Sequence, residues 1–163
     1  MNMSESKSFW KPLINPFFRL LWITNVISLI GTWMHEVGAA WLMTSLTLSP
    51  FMVAMVQTAT TLPFFLLSFP AGALADILDR RRLLIVTQIL MFSSALALGL
   101  ITILGKTSPV ILLVFTFLLS VGAAINTPAW QAIIPELVPR KDLASAITLG
   151  SVSFNIARVA GPA

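Results

Sequence analysis

The sequence predicts an all-α membrane protein, a bundle of helices that cross a bilayer, and three observations predict it. Hydrophobic residues fill 57% of the 163 positions and charged residues only 10%, whereas a soluble domain carries about 25% charged residues. The apolar residues gather in five long runs, and a helix needs roughly 20 such residues to cross a hydrocarbon core about 30 Å thick. Lys and Arg fall in short clusters between the runs. Lipid offers the backbone no hydrogen bonds, so helices fit these runs and open sheets do not.

The five spans are expected at about 18–43, 50–72, 83–104, 109–129 and 143–163, behind a cytoplasmic segment 1–16. Span 1 starts beyond Lys7 and Lys11 and carries Arg19. Its small residues Gly38, Ala39 and Ala40 resemble a signal-peptide cleavage site, but the run is too long and Glu36 is out of place there. Thr44–Pro50 turns the chain into span 2. Between spans 2 and 3 lies Gly72–Leu84, GALADILDRRRLL, which crowds two aspartates and three arginines between apolar walls. Asp79, just before the arginines, is placed to cap span 3. Gly105–Pro109 links spans 3 and 4, and Arg140–Lys141 precedes span 5.

Orientation follows from the basic residues. Lys7, Lys11, Arg19, Arg80, Arg81, Arg82, Arg140 and Lys141 fall on one side, and only Lys106 on the other. The N-terminus is therefore expected in the cytoplasm. The net charge of +4 does not point to nucleic acid, because the cations are dispersed among loops instead of covering one face. The absence of cysteine excludes disulfides and thiolate metal sites.

Polar residues inside spans are costly in hydrocarbon and so carry information. On span 1, Asn25, Ser28, Thr32, His35 and Glu36 recur at helical spacing, along one face. Span 5 repeats this with Thr148, Ser151, Asn155 and Arg158. Span 4 does so with Thr116, Ser120 and Thr127, and span 2 more weakly with Gln57, Thr61 and Ser68. Spans 1, 2, 4 and 5 are expected to share a polar interior, with span 3 peripheral. Each hydroxyl or amide taken singly also fits plain helix packing. Asn25, Thr32, His35, Glu36, Gln57, Asn155 and Arg158 are the candidates for a substrate and proton pathway. A carboxyl withdrawn from water holds its proton more readily, chemistry that suits proton coupling. Arg158 requires an acidic partner, a carbonyl or an anionic ligand.

Enzyme chemistry finds no constellation. His35-Glu36 begins like H-E-x-x-H, but Ala39 stands where the second His belongs and there is no other His, so no metal site is expected. No phosphate-binding G-x-x-x-x-G-K-[ST] occurs, and no cofactor is implied. Gly31, Gly38, Gly99 and Gly122 read as close-packing points between helices.

Gly72, Leu74, Asp76, Arg80 and Arg81 resemble the loop 2–3 signature of the major facilitator superfamily, G-x-L-a-D-r-x-G-r-[RK]-x-x-l. Ile77 departs from its usual basic residue and Asp79 from its usual glycine. The D-R-R-R ending is similar to that of the transmembrane secretion effectors, a branch that includes enterobactin exporters. Thr32-Trp33, Val37–Leu42, Pro128-Ala129 and Pro135–Pro139 are also similar to that branch. Asn155, Arg158, Gly161 and Pro162 resemble the fifth-span motif of antiporters.

The resemblance implies a twelve-helix fold in two halves, of which residues 17–163 would hold most of the first, with the C-terminal half of the same polypeptide missing. It implies a proton-coupled exporter of small, siderophore- or drug-like molecules in a bacterial inner membrane. Asp76 and the arginines would form a cytoplasmic latch against the second half. The alternative, from a different class, is a small non-transporting membrane protein that packs against a partner.

Overall fold

Local chemistry sets where the helices begin. Proline occupies the first position of three of them, α1 (Pro16–Leu46), α2 (Pro50–Ile77) and α4 (Pro109–Leu137); its fixed φ suits a helix start and its missing N–H has no partner to lose there. Asn15 caps α1, its Oδ1 accepting from the backbone N–H groups of Phe17 and Phe18 at 3.0 and 3.4 Å. Helix α3 (Arg80–Ile103) opens on Asp79, whose carboxylate accepts from the N–H groups of Arg81 and Arg82. The expected cap is therefore formed. It also places a negative charge where the helix dipole and the arginines both favour one. Helix α5 (Leu143–Ala160) follows a short 3-10 turn at Arg140–Asp142.

The computed structural model describes residues 10–161, leaving aside the side chains of Ser68, Ala75 and Asp76; Lys7 and Pro162 lie outside the described residues. Among the described residues there is no strand. Five helices are long and apolar enough to cross a membrane, so the molecule is an all-α integral membrane protein. Several helices outrun the apolar stretches. Helix α4 continues through Pro128 and Pro135 to Leu137, because hydropathy marks the lipid-facing length and not the end of hydrogen bonding. Helix α2 likewise runs through Pro63 and Pro70 to Ile77. The expected loop between spans 2 and 3 is thus a two-residue link, Leu78 and Asp79.

The helices fall into two compact units, one of residues 10–35 with 133–161 and the other Glu36–Ala132. In the second, Ala39, Met43, Val56, Leu98 and Leu112 form a buried core. Helix α3 buries Leu84, Thr87, Met91, Ser94 and Leu98 along one face, while Ile85, Val86, Ile89 and Phe92 point outward. Such an outward apolar face is what lipid requires. Two of its polar residues are packed inward: Thr87 and Ser94 are buried, and Thr87 lies 3.1 Å from Asn126 Oδ1 of α4, donating its hydroxyl proton. Gly122 of α4 is a true packing point, since a Cβ there would strike the Met91 side chain. A Cβ at Gly31, Gly38 or Gly99 would meet nothing within 4 Å.

The α3–α4 turn is set by Gly105. Its φ of +66° is left-handed and favours a residue without Cβ. The Gly105 N–H donates to Thr102 O and that of Lys106 to Ile101 O, both at 3.0 Å, the paired bonds that close a helix before a reversal.

Candidate functional site

In the first unit the chain is tied at one end by polar contacts. Lys11 Nζ lies 3.9 Å from the Asp142 carboxylate. Asn15 Nδ2 donates to Leu137 O at 2.8 Å, occupying a carbonyl that the end of α4 leaves without an intrahelical partner. Further along, the Trp22 indole N–H donates to Leu149 O at 3.2 Å. Trp33 then meets Phe154 edge to face at 5.7 Å, and Gly161 backs onto Trp33 Cβ and the Met34 backbone. These contacts advance together along both helices, so α1 and α5 run parallel.

That register fixes depth. Helix α1 has 31 residues, about 46 Å of rise, well beyond a hydrocarbon core of about 30 Å. Trp33 lies close to its centre and so falls within the core wherever the core sits along the helix. Arg158 stands between Phe154 of α5 and the Gly161 that follows it, the two residues that meet Trp33, and so lies level with Trp33 along the helix axis.

The candidate pathway residues divide. On α1, Asn25 is buried at 9% exposure, and Thr32, His35 and Glu36 are half-buried. The Thr32 hydroxyl donates to Ser28 O at 2.9 Å. On α5, Ala146, Leu149, Ser153 and Ala157 are buried, whereas Thr148, Ser151, Asn155 and Arg158 are all exposed. At 3.6 residues per turn that polar row lies opposite the packed row. On α5 the polar row is thus the exposed one, and Arg158 at its end is flanked by Phe154 and Gly161, which meet Trp33 of α1. In the second unit, Gln57 and Thr61 are exposed, while Thr116 and Ser120 of α4 are buried.

The row on α5 is internally hydrogen-bonded. Thr148 donates to Ala144 O at 2.8 Å, Ser151 to Ile147 O at 3.4 Å and Asn155 Nδ2 to Ser151 O at 2.8 Å. Arg158 makes no hydrogen bond or ion pair among the described residues. No described group of three or more His, Asp or Glu residues is arranged to hold a metal ion.

The charged turn is built on two helix ends. Gly72 and Leu74 sit in the last turns of α2, and Arg80 and Arg81 open α3. The backbone of Asp76 is helical, but its side chain lies outside the described residues. Arg81 is exposed. Arg80 is half-buried and its Nη1 donates to Ala132 O of α4 at 3.1 Å. Spacing alone did not reveal this anchor. The Thr87–Asn126 pair was missed for a similar reason, since each residue looked isolated in its own span.

Five apolar helices, with a short charged link between the second and third, define a polytopic membrane protein. The sequence matches the family described as transmembrane secretion effector over residues 7–163, and the chain belongs to that family of the major facilitator superfamily. It is 28% identical over 141 residues to a staphyloferrin A transporter of Staphylococcus aureus, covering 86% of this chain and 36% of that one. It is 23% identical over 146 residues to macrolide efflux protein A of Streptococcus pyogenes, covering 90% and 36%. With the uncharacterized MFS-type transporter YfiS of Bacillus subtilis it shares 26% identity over 141 residues, covering 86% and 33%. The chain thus spans about a third of the length of the curated relatives it matches. No solved structure matches it.

Proposed function

We propose that residues 17–163 are the first part of a secondary transporter that exports small molecules, siderophore- or drug-like, in exchange for protons. The observation that carries this reading is the family match across the chain, with the Gly72–Arg81 motif at the α2–α3 junction. Transporters of this kind rock two halves about a site near the bilayer midplane, exposing it to each side in turn. Asn25, Thr32, His35, Glu36, Gln57, Asn155 and Arg158 line the pathway in this reading, with Glu36 as the carboxyl that exchanges the proton. The remaining helices of the polypeptide complete the cavity. The N-terminus and the α2–α3 link face the cytoplasm of a bacterial inner membrane.

Asp76 acts as the latch. In this reading its carboxylate, four residues before Arg80 in the sequence, holds the cytoplasmic side shut against the second half. At the protein's natural length, Asp76→Asn is expected to reduce export at least about tenfold, the scale of one lost charge-assisted contact, while membrane insertion stays normal. Export assays in everted vesicles with an imposed pH gradient provide the measurement. Unchanged export by that variant removes the latch, and export indifferent to the pH gradient removes proton coupling.

A further inference from the structure

We propose that α5 carries a flexure at Leu149–Ser153, set by a single indole N–H of α1. The device lies wholly within the unit of residues 10–35 and 133–161 and stands apart from the transporter reading.

The Leu149 carbonyl oxygen is the crowded atom. In an α-helix it is the acceptor for the backbone N–H of Ser153, four residues on. The Ser153 hydroxyl also donates to it, at 2.8 Å, and the Trp22 indole N–H of α1 donates to it at 3.2 Å. A carbonyl oxygen offers two lone pairs, so three donors share what two can fill. Ser153 is buried, at 0% exposure, and water does not reach it to take over a share. The backbone bond from Ser153 to Leu149 is therefore weaker than its neighbours in the helix.

Local sequence softens the same turn. Gly150 and Ser151 follow Leu149, and helices bend at Gly/Ser pairs. A Cβ at Gly150 would meet nothing within 4 Å, which leaves the turn room to bend. Hydroxyls that return to a carbonyl one turn back also bend helices. Thr148 and Ser151 do so beside Ser153, to Ala144 O at 2.8 Å and Ile147 O at 3.4 Å. Past this turn the chain is held again, by Phe154 and Gly161 against Trp33. The flexure thus divides Leu143–Leu149 from the segment that bears Asn155 and Arg158.

Residue-resolved hydrogen–deuterium exchange tests this on the protein at its natural length in detergent micelles, since amide protection reads local opening. Leu149 and Ala157, one turn to either side and buried like Ser153, are the reference amides. In the wild type, protection at Ser153 is expected to be about tenfold below theirs, the scale of one weakened hydrogen bond. Trp22→Phe keeps an aromatic ring and removes the N–H; it is expected to raise protection at residue 153 to the level of the reference amides. Ser153→Ala, which removes the hydroxyl, is expected to raise it with Trp22 intact. Equal protection at the three amides in the wild type overturns the proposal. So does Trp22→Phe if it leaves residue 153 unchanged, or if it lowers protection along the whole of α5, because the indole then serves as a packing clamp. Should Trp22→Phe fail to insert, Ser153→Ala decides alone: unchanged protection at residue 153 overturns the flexure.

Discussion

Gly161 shows how one missing Cβ governs the contact between two membrane helices. Without water to drive association, helices in lipid hold together by close packing, so small residues at the contact matter more than in a soluble core. A Cβ at Gly161 would collide with Trp33 Cβ and crowd the Ala157 carbonyl and the Met34 amide. Two of those three obstacles are backbone, and the third is fixed to it, so none can swing aside. Gly161→Ala is therefore expected to destabilise the protein by about 1–3 kcal/mol through overpacking, read as a lower melting temperature in detergent. Gly99→Ala is the matched control: its Cβ meets nothing within 4 Å, and the gain in helix propensity is worth up to about 1 kcal/mol. That variant should melt at the same temperature or higher. Both glycines are visible in the sequence, but only the structure separates the packed one from the open one.

The helices themselves were legible from apolar length and from their starting residues. Pro16, Pro50 and Pro109 open three of them, and Asp79 caps a fourth. What hydropathy could not supply was the continuation of α2 and α4 beyond the apolar length, because a helix that leaves lipid keeps its hydrogen bonds even as its side chains turn polar. Turn geometry belongs to this scale as well. Gly105, at φ +66°, lets α3 close on the carbonyls of Ile101 and Thr102 before α4 begins. An L side chain in that conformation costs roughly 1–2 kcal/mol. Gly105→Ala should lower stability by about that amount, measured by thermal unfolding in micelles, and Gly105→Asn by less, because Asn tolerates the left-handed region better.

At the scale of the whole molecule, the distribution of cations makes a claim about the membrane. Arg80, Arg81 and Arg82 precede α3, and Lys106 follows it, so the two ends of this helix carry opposite predictions. These 163 residues hold no cysteine, so each variant below introduces a single thiol among them. Arg82→Cys is expected to react with an impermeant thiol reagent only from the cytoplasmic side, and Lys106→Cys only from outside. Labelling in the reverse sense would invert the topology, and with it the placement of the α2–α3 link as a cytoplasmic gate.

The sequence by itself determined the solvent, the number of spans and the family. Those depend on quantities additive along the chain: apolar length, charge clusters and the Gly72–Arg81 spacing. Only the tertiary structure decided which polar residues turn inward. Asn25, Thr87, Thr116 and Ser120 are buried, while Thr148, Ser151, Asn155 and Arg158 lie on the open face of α5. Helical periodicity fixes which residues share a face, but the side on which a neighbouring helix packs is set by contacts distant in sequence. The same contacts fix register, since the approach of Gly161 to Trp33 sets Arg158 level with Trp33 of α1.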